Sequence, residues 1–150
     1  MKKITIISLL ILVTFVSSNA QVNYSLPCDS LEQNDSTIIL VSGLMDHNEL
    51  QVNWIKEKIE YDSLENWIKK YLEKQFETEL NNDPFILKIN NEAIESEIVR
   101  CKEFKKYMIS DDILVYFTTP KLYWDSLAGQ DGLIIIRKCK VIGMLILAQS

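Results

Sequence analysis

Leu64, Trp67, Ile68, Tyr71, Leu72, Phe76 and Leu80 recur at helical spacing, with Glu65, Lys69, Lys70, Glu73, Lys74 and Glu77 between them. A helix that is apolar along one stripe has to lay that stripe on another element. Asp62 or Ser63 can cap this helix, with Glu65 three residues after Asp62 in capping-box spacing, and Asn81-Asn82-Asp83-Pro84 stops it. The partner surface is a sheet, because most of the other apolar runs have strand character. Thr37 to Met45 is rich in Ile, Leu and Val, and apolar residues alternate from Leu50 through Val52 and Trp54. These two runs predict a hairpin closed at Asp46-His47-Asn48.

Beyond the helix, Phe85 to Ile89 predicts a short strand and Ala93 to Met108 a second helix, with a strand through Ile98 to Cys101 as the alternative. Ile113 to Thr118 predicts a strand that Pro120 ends. Lys121 to Leu127 predicts a single helical turn, and Ala128 to Gly132 a glycine-bounded loop. Leu133 to Arg137 and Val141 to Leu147 predict a closing hairpin. The expected fold is therefore α+β: a mainly antiparallel sheet packed on one face by two helices, in the order β-β-α-β-α-β-β.

The start of the sequence reads as an export signal. Lys2 and Lys3 precede an apolar run from Ile4 to Val16, followed by the small polar residues Ser17, Ser18, Asn19 and Ala20. That pattern predicts cleavage between Ala20 and Gln21. The run is shorter than the roughly 20 apolar residues that span a bilayer, and Cys28 lies too far downstream to be lipidated at the cut. The expected organisation is a signal peptide over 1–20, a polar N-terminal arm over 21–36 and one domain over 37–150. No stable membrane insertion is expected after cleavage, and the product is expected in the periplasm or outside the cell.

The sequence holds 16 basic and 21 acidic side chains, a net charge of −5. Loss of Lys2 and Lys3 with an acid-free leader leaves 14 against 21, or −7. A negative domain repels nucleic acid and anionic lipid; the charge serves solubility first, and where it also recruits a partner, its electrostatic complement is a basic protein. Cys28, Cys101 and Cys139 would enter an oxidising space, where disulfides persist. Their odd number leaves one thiol over. The expected pair is Cys101 with Cys139, both inside the predicted domain.

No motif assigns a catalytic, cofactor-binding or metal-binding residue. His47 is the only histidine and sits in a turn; with one of the three cysteines it is the only nucleophile–base combination the sequence offers. Structural zinc wants paired ligand spacings that isolated cysteines do not supply. Asp111 and Asp112 read as the polar lip of a strand. Gly129-Gln130-Asp131-Gly132 lacks the lysine and hydroxyl of a phosphate loop and reads as a connection. Trp124, between Pro120 and that connection, reads as a plug over the sheet edge with Leu127 beside it. The function expected on size, charge and compartment is a protein-binding module of the inhibitor or immunity type. The alternatives are a small envelope hydrolase and a structural envelope component cross-linked through the odd cysteine.

Trp124-x-x-Leu127-x-Gly129-x-x-Gly132, followed by an apolar strand, a basic turn and a second apolar strand, resembles the last hairpin of small exported bacterial proteins of uncharacterised function. The resemblance covers the final quarter of the chain and implies no activity. Such proteins carry Asp-Gly or Asn-Gly at the turn, where this chain has Cys139-Lys140. Asp29-Ser30-Leu31, Asp35-Ser36-Thr37, Asp62-Ser63-Leu64 and Asp125-Ser126-Leu127 also resemble glycosylation acceptors of exported proteins from the same bacterial branch. Asp-Ser is equally good capping and turn chemistry.

Overall fold

The computed structural model describes residues 24–39, 50–76 and 83–150. The leader residues, His47 and Leu80 lie outside them. The described elements are β1 (Glu32–Ile39), β2 (Ile55–Ile59), α1 (Leu64–Gln75), α2 (Pro84–Lys105), β3 (Ile113–Thr118), α3 (Lys121–Asp125), β4 (Gln130–Arg137) and β5 (Lys140–Gln149), with single 3-10 turns at Val52–Trp54 and Tyr61–Ser63. The strands form one sheet in the order β1-β5-β4-β3-β2. Pairing is antiparallel from β5 to β2, and β1 joins β5 in parallel.

The α+β class and the predominantly antiparallel sheet agree with the sequence reading; three details of element order and pairing do not. The first two strands are not a hairpin. β1 and β2 occupy opposite edges of the sheet, and β1 begins at Glu32 rather than Thr37. Phe85 to Ile89 is not a strand but the opening of α2. Asp83 accepts a hydrogen bond from the Phe85 backbone N–H at 2.8 Å, and Pro84 sits in the first helical turn. That combination caps and starts a helix, and it overrides the local apolar run. The element order is thus β-β-α-α-β-α-β-β. The capping box predicted before α1 does not form either: the Ser63 hydroxyl donates to the Glu60 carbonyl at 2.9 Å and closes the 3-10 turn.

β4 is the buried spine, with Gln130 through Ile136 all inaccessible. Its alternate residues feed two apolar layers. Leu133 and Ile135 meet Leu64, Ile68, Leu72, Ile94, Cys101 and Phe104 from α1 and α2. Ile134 and Ile136 face the other way, toward Leu26, Leu50, Trp54, Phe117 and Met144. Each fully buried Leu, Ile or Phe contributes about 1.5–3 kcal/mol, so a strand buried on both faces anchors both layers.

The segment before β1 takes part in the second layer. Leu26 is buried, and Tyr24, Cys28 and Leu31 pack against it. Cys28 is disulfide-bonded to Cys139, which corrects the expected Cys101–Cys139 pair. Cys101 points from α2 into the helix-side core and is unpaired. Position along the chain favoured two cysteines within the predicted domain; parallel addition of β1 to β5 brings the arm to the β4–β5 turn instead.

Candidate functional site

The carboxyl of Asp131 lies deep in the fold, with the residue only 4% exposed. It sits on β4 two residues before Leu133, and period-two alternation turns it to the helix side. Tyr71 of α1 donates its hydroxyl to Asp131 Oδ1 at 2.7 Å, and Tyr116 of β3 donates to Oδ2 at 3.1 Å. The backbone N–H of Ala148, its neighbour on β5, is a further donor. Burial pushes the Asp131 carboxyl above the usual carboxylate range, against the pull of these donors. Both phenols are held above their ordinary values, first by burial and then by the adjacent carboxylate.

Trp67 completes the cluster. Its ring stacks on Tyr71 with centroids 5.3 Å apart and planes 10° from parallel, and lies 5.1 Å from Tyr116. Its Nε1–H donates to Glu57 Oε1 at 2.8 Å. Helical spacing places Trp67 and Tyr71 four residues apart on one face of α1. Chemically the cluster holds protons: two phenols stay protonated, and both carboxyl oxygens are engaged as acceptors. It ties α1 to β2, β3 and β4. Beside it a groove of about 370 Å³ runs between the end of α1, α2 and β5, with Tyr71 shared between cluster and groove.

This cluster was missed at the sequence level because Gly129 to Gly132 reads as a loop. Gln130 to Gly132 instead belong to β4. The available signal was the alternation Asp131, Leu133, Ile135, which sets an acid in line with core residues. Gly132 is demanded by close approach of the strands, since a Cβ there would lie 2.1 Å from the Leu145 carbonyl oxygen.

The other singled-out residues disperse. Trp124 is half-buried, with Nε1 3.3 Å from Thr118 Oγ1, and its ring covers Gly129, where a Cβ would come within 2.2 Å. Leu127 does not join it; that side chain is 79% exposed on a left-handed residue with φ 59°. Asp112 is more than a strand lip. Both its oxygens accept from Arg137, at 2.7 and 2.8 Å, and Oδ2 also accepts from the Ile109 N–H. The Cys101 thiol is fully buried and pushed up to about 12 by burial and by Glu97, out of reach of a second chain. Ser30 is exposed, whereas the Ser63 and Ser126 hydroxyls donate to the Glu60 and Tyr123 carbonyls. Among the described residues no group of three or more His, Cys, Asp or Glu side chains could hold a metal ion.

Comparison with known proteins returns no match: no family model, no curated protein and no solved structure is similar to the chain.

Proposed function

We propose that this protein is an exported protein-binding module, working in the periplasm or outside the cell against a basic partner in the manner of small inhibitors and immunity-type proteins. One observation carries the reading. The first ten residues of α2, Pro84 to Ala93, contain no buried side chain, yet Phe85 and Ile89, four residues apart on one face of the helix, project from them at 68 and 45% exposure, with Leu87 exposed on the opposite side. Large apolar side chains held in water on a rigid helix are a contact surface in search of a cover. The compartment is supported by the leader-like start of the sequence, by the Cys28–Cys139 disulfide, which suits an oxidising space, and by the absence among the described residues of any helix long and apolar enough to cross a membrane. The basic partner is supported by the net negative charge.

The test is capture of envelope proteins by the wild-type chain and by a Phe85→Ser/Ile89→Ser variant. The reading expects a basic protein to be retained by the wild type, to be lost from the variant and to elute as salt rises. Retention that the variant and salt leave unchanged would count against it.

A further inference from the structure

The groove beside Tyr71 has a chemistry that the protein-binding reading does not use. Tyr71, Leu72 and Phe76 at the end of α1, Ala93 on α2 and Leu147 on β5 give it a largely apolar wall. Of the described residues that line it, only Glu97 carries a formal charge. Glu97 Oε1 pairs with the Arg100 guanidinium, while Oε2 is buried and has no hydrogen-bond partner. Arg100 turns its other terminal nitrogen to the Ile146 carbonyl at 3.3 Å, which ties the Glu97–Arg100 pair to the strand. The Asp131 carboxyl lies behind the Tyr71 and Ala148 wall and adds negative potential. A carboxylate oxygen left without a donor in an apolar setting is costly, and a pocket of this size, mostly apolar with polar groups from Gln75, Ser96 and Glu97, matches the usual shape of a small-molecule site.

We infer that the groove binds a small organic ammonium compound with an aromatic or branched apolar body. The apolar body lies against the Tyr71 and Phe76 rings. The ammonium N–H groups reach Oε2 once the Glu97 carboxylate rotates toward the groove it lines. The Glu97 carboxylate selects the donor: Oε1 keeps its Arg100 partner, and Oε2 is the oxygen left to accept from the ammonium. This inference does not rest on the α2 contact surface: the groove uses Ala93 and Glu97 of α2, whereas that surface uses Phe85 and Ile89.

The test is titration of the disulfide-bonded protein with 2-phenylethylammonium and with the neutral 2-phenylethanol, following the amide resonances of Leu147 and Ala148. The expected result is saturable shifts with the ammonium compound, at least about tenfold tighter than with the alcohol. Glu97→Gln should erase that preference. Ala93→Phe, which fills the groove and leaves Glu97 in place, should abolish binding of both compounds, and it keeps the test decisive if Glu97→Gln fails to fold. No saturable shift at millimolar ligand, equal affinity for the alcohol, or binding undiminished in Ala93→Phe would overturn the inference. So would tighter binding of N-acetyl-lysine methylamide, which would assign the groove to a lysine side chain of a protein partner.

Discussion

Cys28 and Cys139 are joined across 111 residues of sequence, with their Cα atoms 5.7 Å apart, so that the strand following Cys28 enters the sheet beside the strand following Cys139. The Glu32 N–H donates to the Cys139 carbonyl at 2.9 Å directly after the link. The disulfide thus sets where the parallel β1–β5 ladder begins.

A cross-link enclosing most of the described fold restrains the unfolded chain heavily. The chain-entropy estimate for a loop of this length is about 4–5 kcal/mol. Cys28→Ser/Cys139→Ser should therefore lower stability by up to that amount. It should also raise the slope of the urea transition, because the opened unfolded chain exposes more surface. Denaturation curves of oxidised protein, reduced protein and the double variant check this; coincident midpoints would show that the link constrains nothing.

The turn carrying Cys139 is strained for its residues. Lys138 and Cys139 both have positive φ, 50° and 62°, between β4 and β5. A two-residue loop with φ > 0 at both positions is the type I′ hairpin turn, which favours Asn-Gly. The turn residues are thus Lys138-Cys139, one position earlier than the sequence suggests. Cysteine occupies the place of the usual glycine because its sulfur is used in the disulfide. Lys138→Asn should stabilise the protein by about 0.5–1 kcal/mol, since asparagine adopts the left-handed region at lower cost. An unchanged or lower melting temperature would show that the turn is already relaxed.

Gly132 tests the β4–β5 contact. The register between these strands shifts between Asp131 and Gly132, and there is no room for a Cβ beside the Leu145 carbonyl. Gly132→Ala should cost about 2–3 kcal/mol, as overpacking against backbone does, and the loss should appear in thermal melts. It should also disturb the Tyr71–Asp131 hydrogen bond one residue away, visible as a changed tyrosine absorbance.

The parts of the fold legible in the sequence are those where local pattern and tertiary environment agree. β3, the single turn of α3 and the final hairpin follow from alternation, Pro120 and the apolar runs around Arg137 to Lys140. The stripe of α1 is likewise where periodicity puts it, through Leu64, Ile68 and Leu72. Phe85 to Ile89 has the apolar run of a strand, but Asp83 and Pro84 beside it, which also read as the stop of the preceding helix, cap and start α2. β1 and the disulfide could not be reached from local pattern at all: a parallel edge strand has its partner about a hundred residues away, and nothing in its own composition names that partner. The Tyr71–Asp131–Tyr116 cluster shares this difficulty, since its three residues come from α1, β4 and β3.

Two aspartates should titrate against stability with opposite signs. Asp131 has a folded-state pKa above its unfolded value because it is buried. Its contribution is therefore fully present below the unfolded carboxyl value, about 3.9, and is lost as pH rises through the higher folded value. Asp112 is also buried, but the Arg137 hydrogen bonds, the Ile109 N–H and the Arg137 charge outweigh that and hold it below the usual range. Its contribution is present above about 3.9 and is lost as pH falls through the lower folded value. Relative to wild type, Asp131→Asn should gain stability as pH rises from the acid side of 3.9 towards neutrality, on top of a pH-independent offset from the lost acceptor. Asp112→Asn should lose stability relative to wild type as pH rises from strongly acid values to about 3.9. Urea midpoints of the three proteins between pH 2 and 7 measure both slopes. Parallel curves for wild type and Asp131→Asn would mean that the carboxyl held by Tyr71 and Tyr116 ionises as it does in water, and the buried character of the cluster would have to be given up.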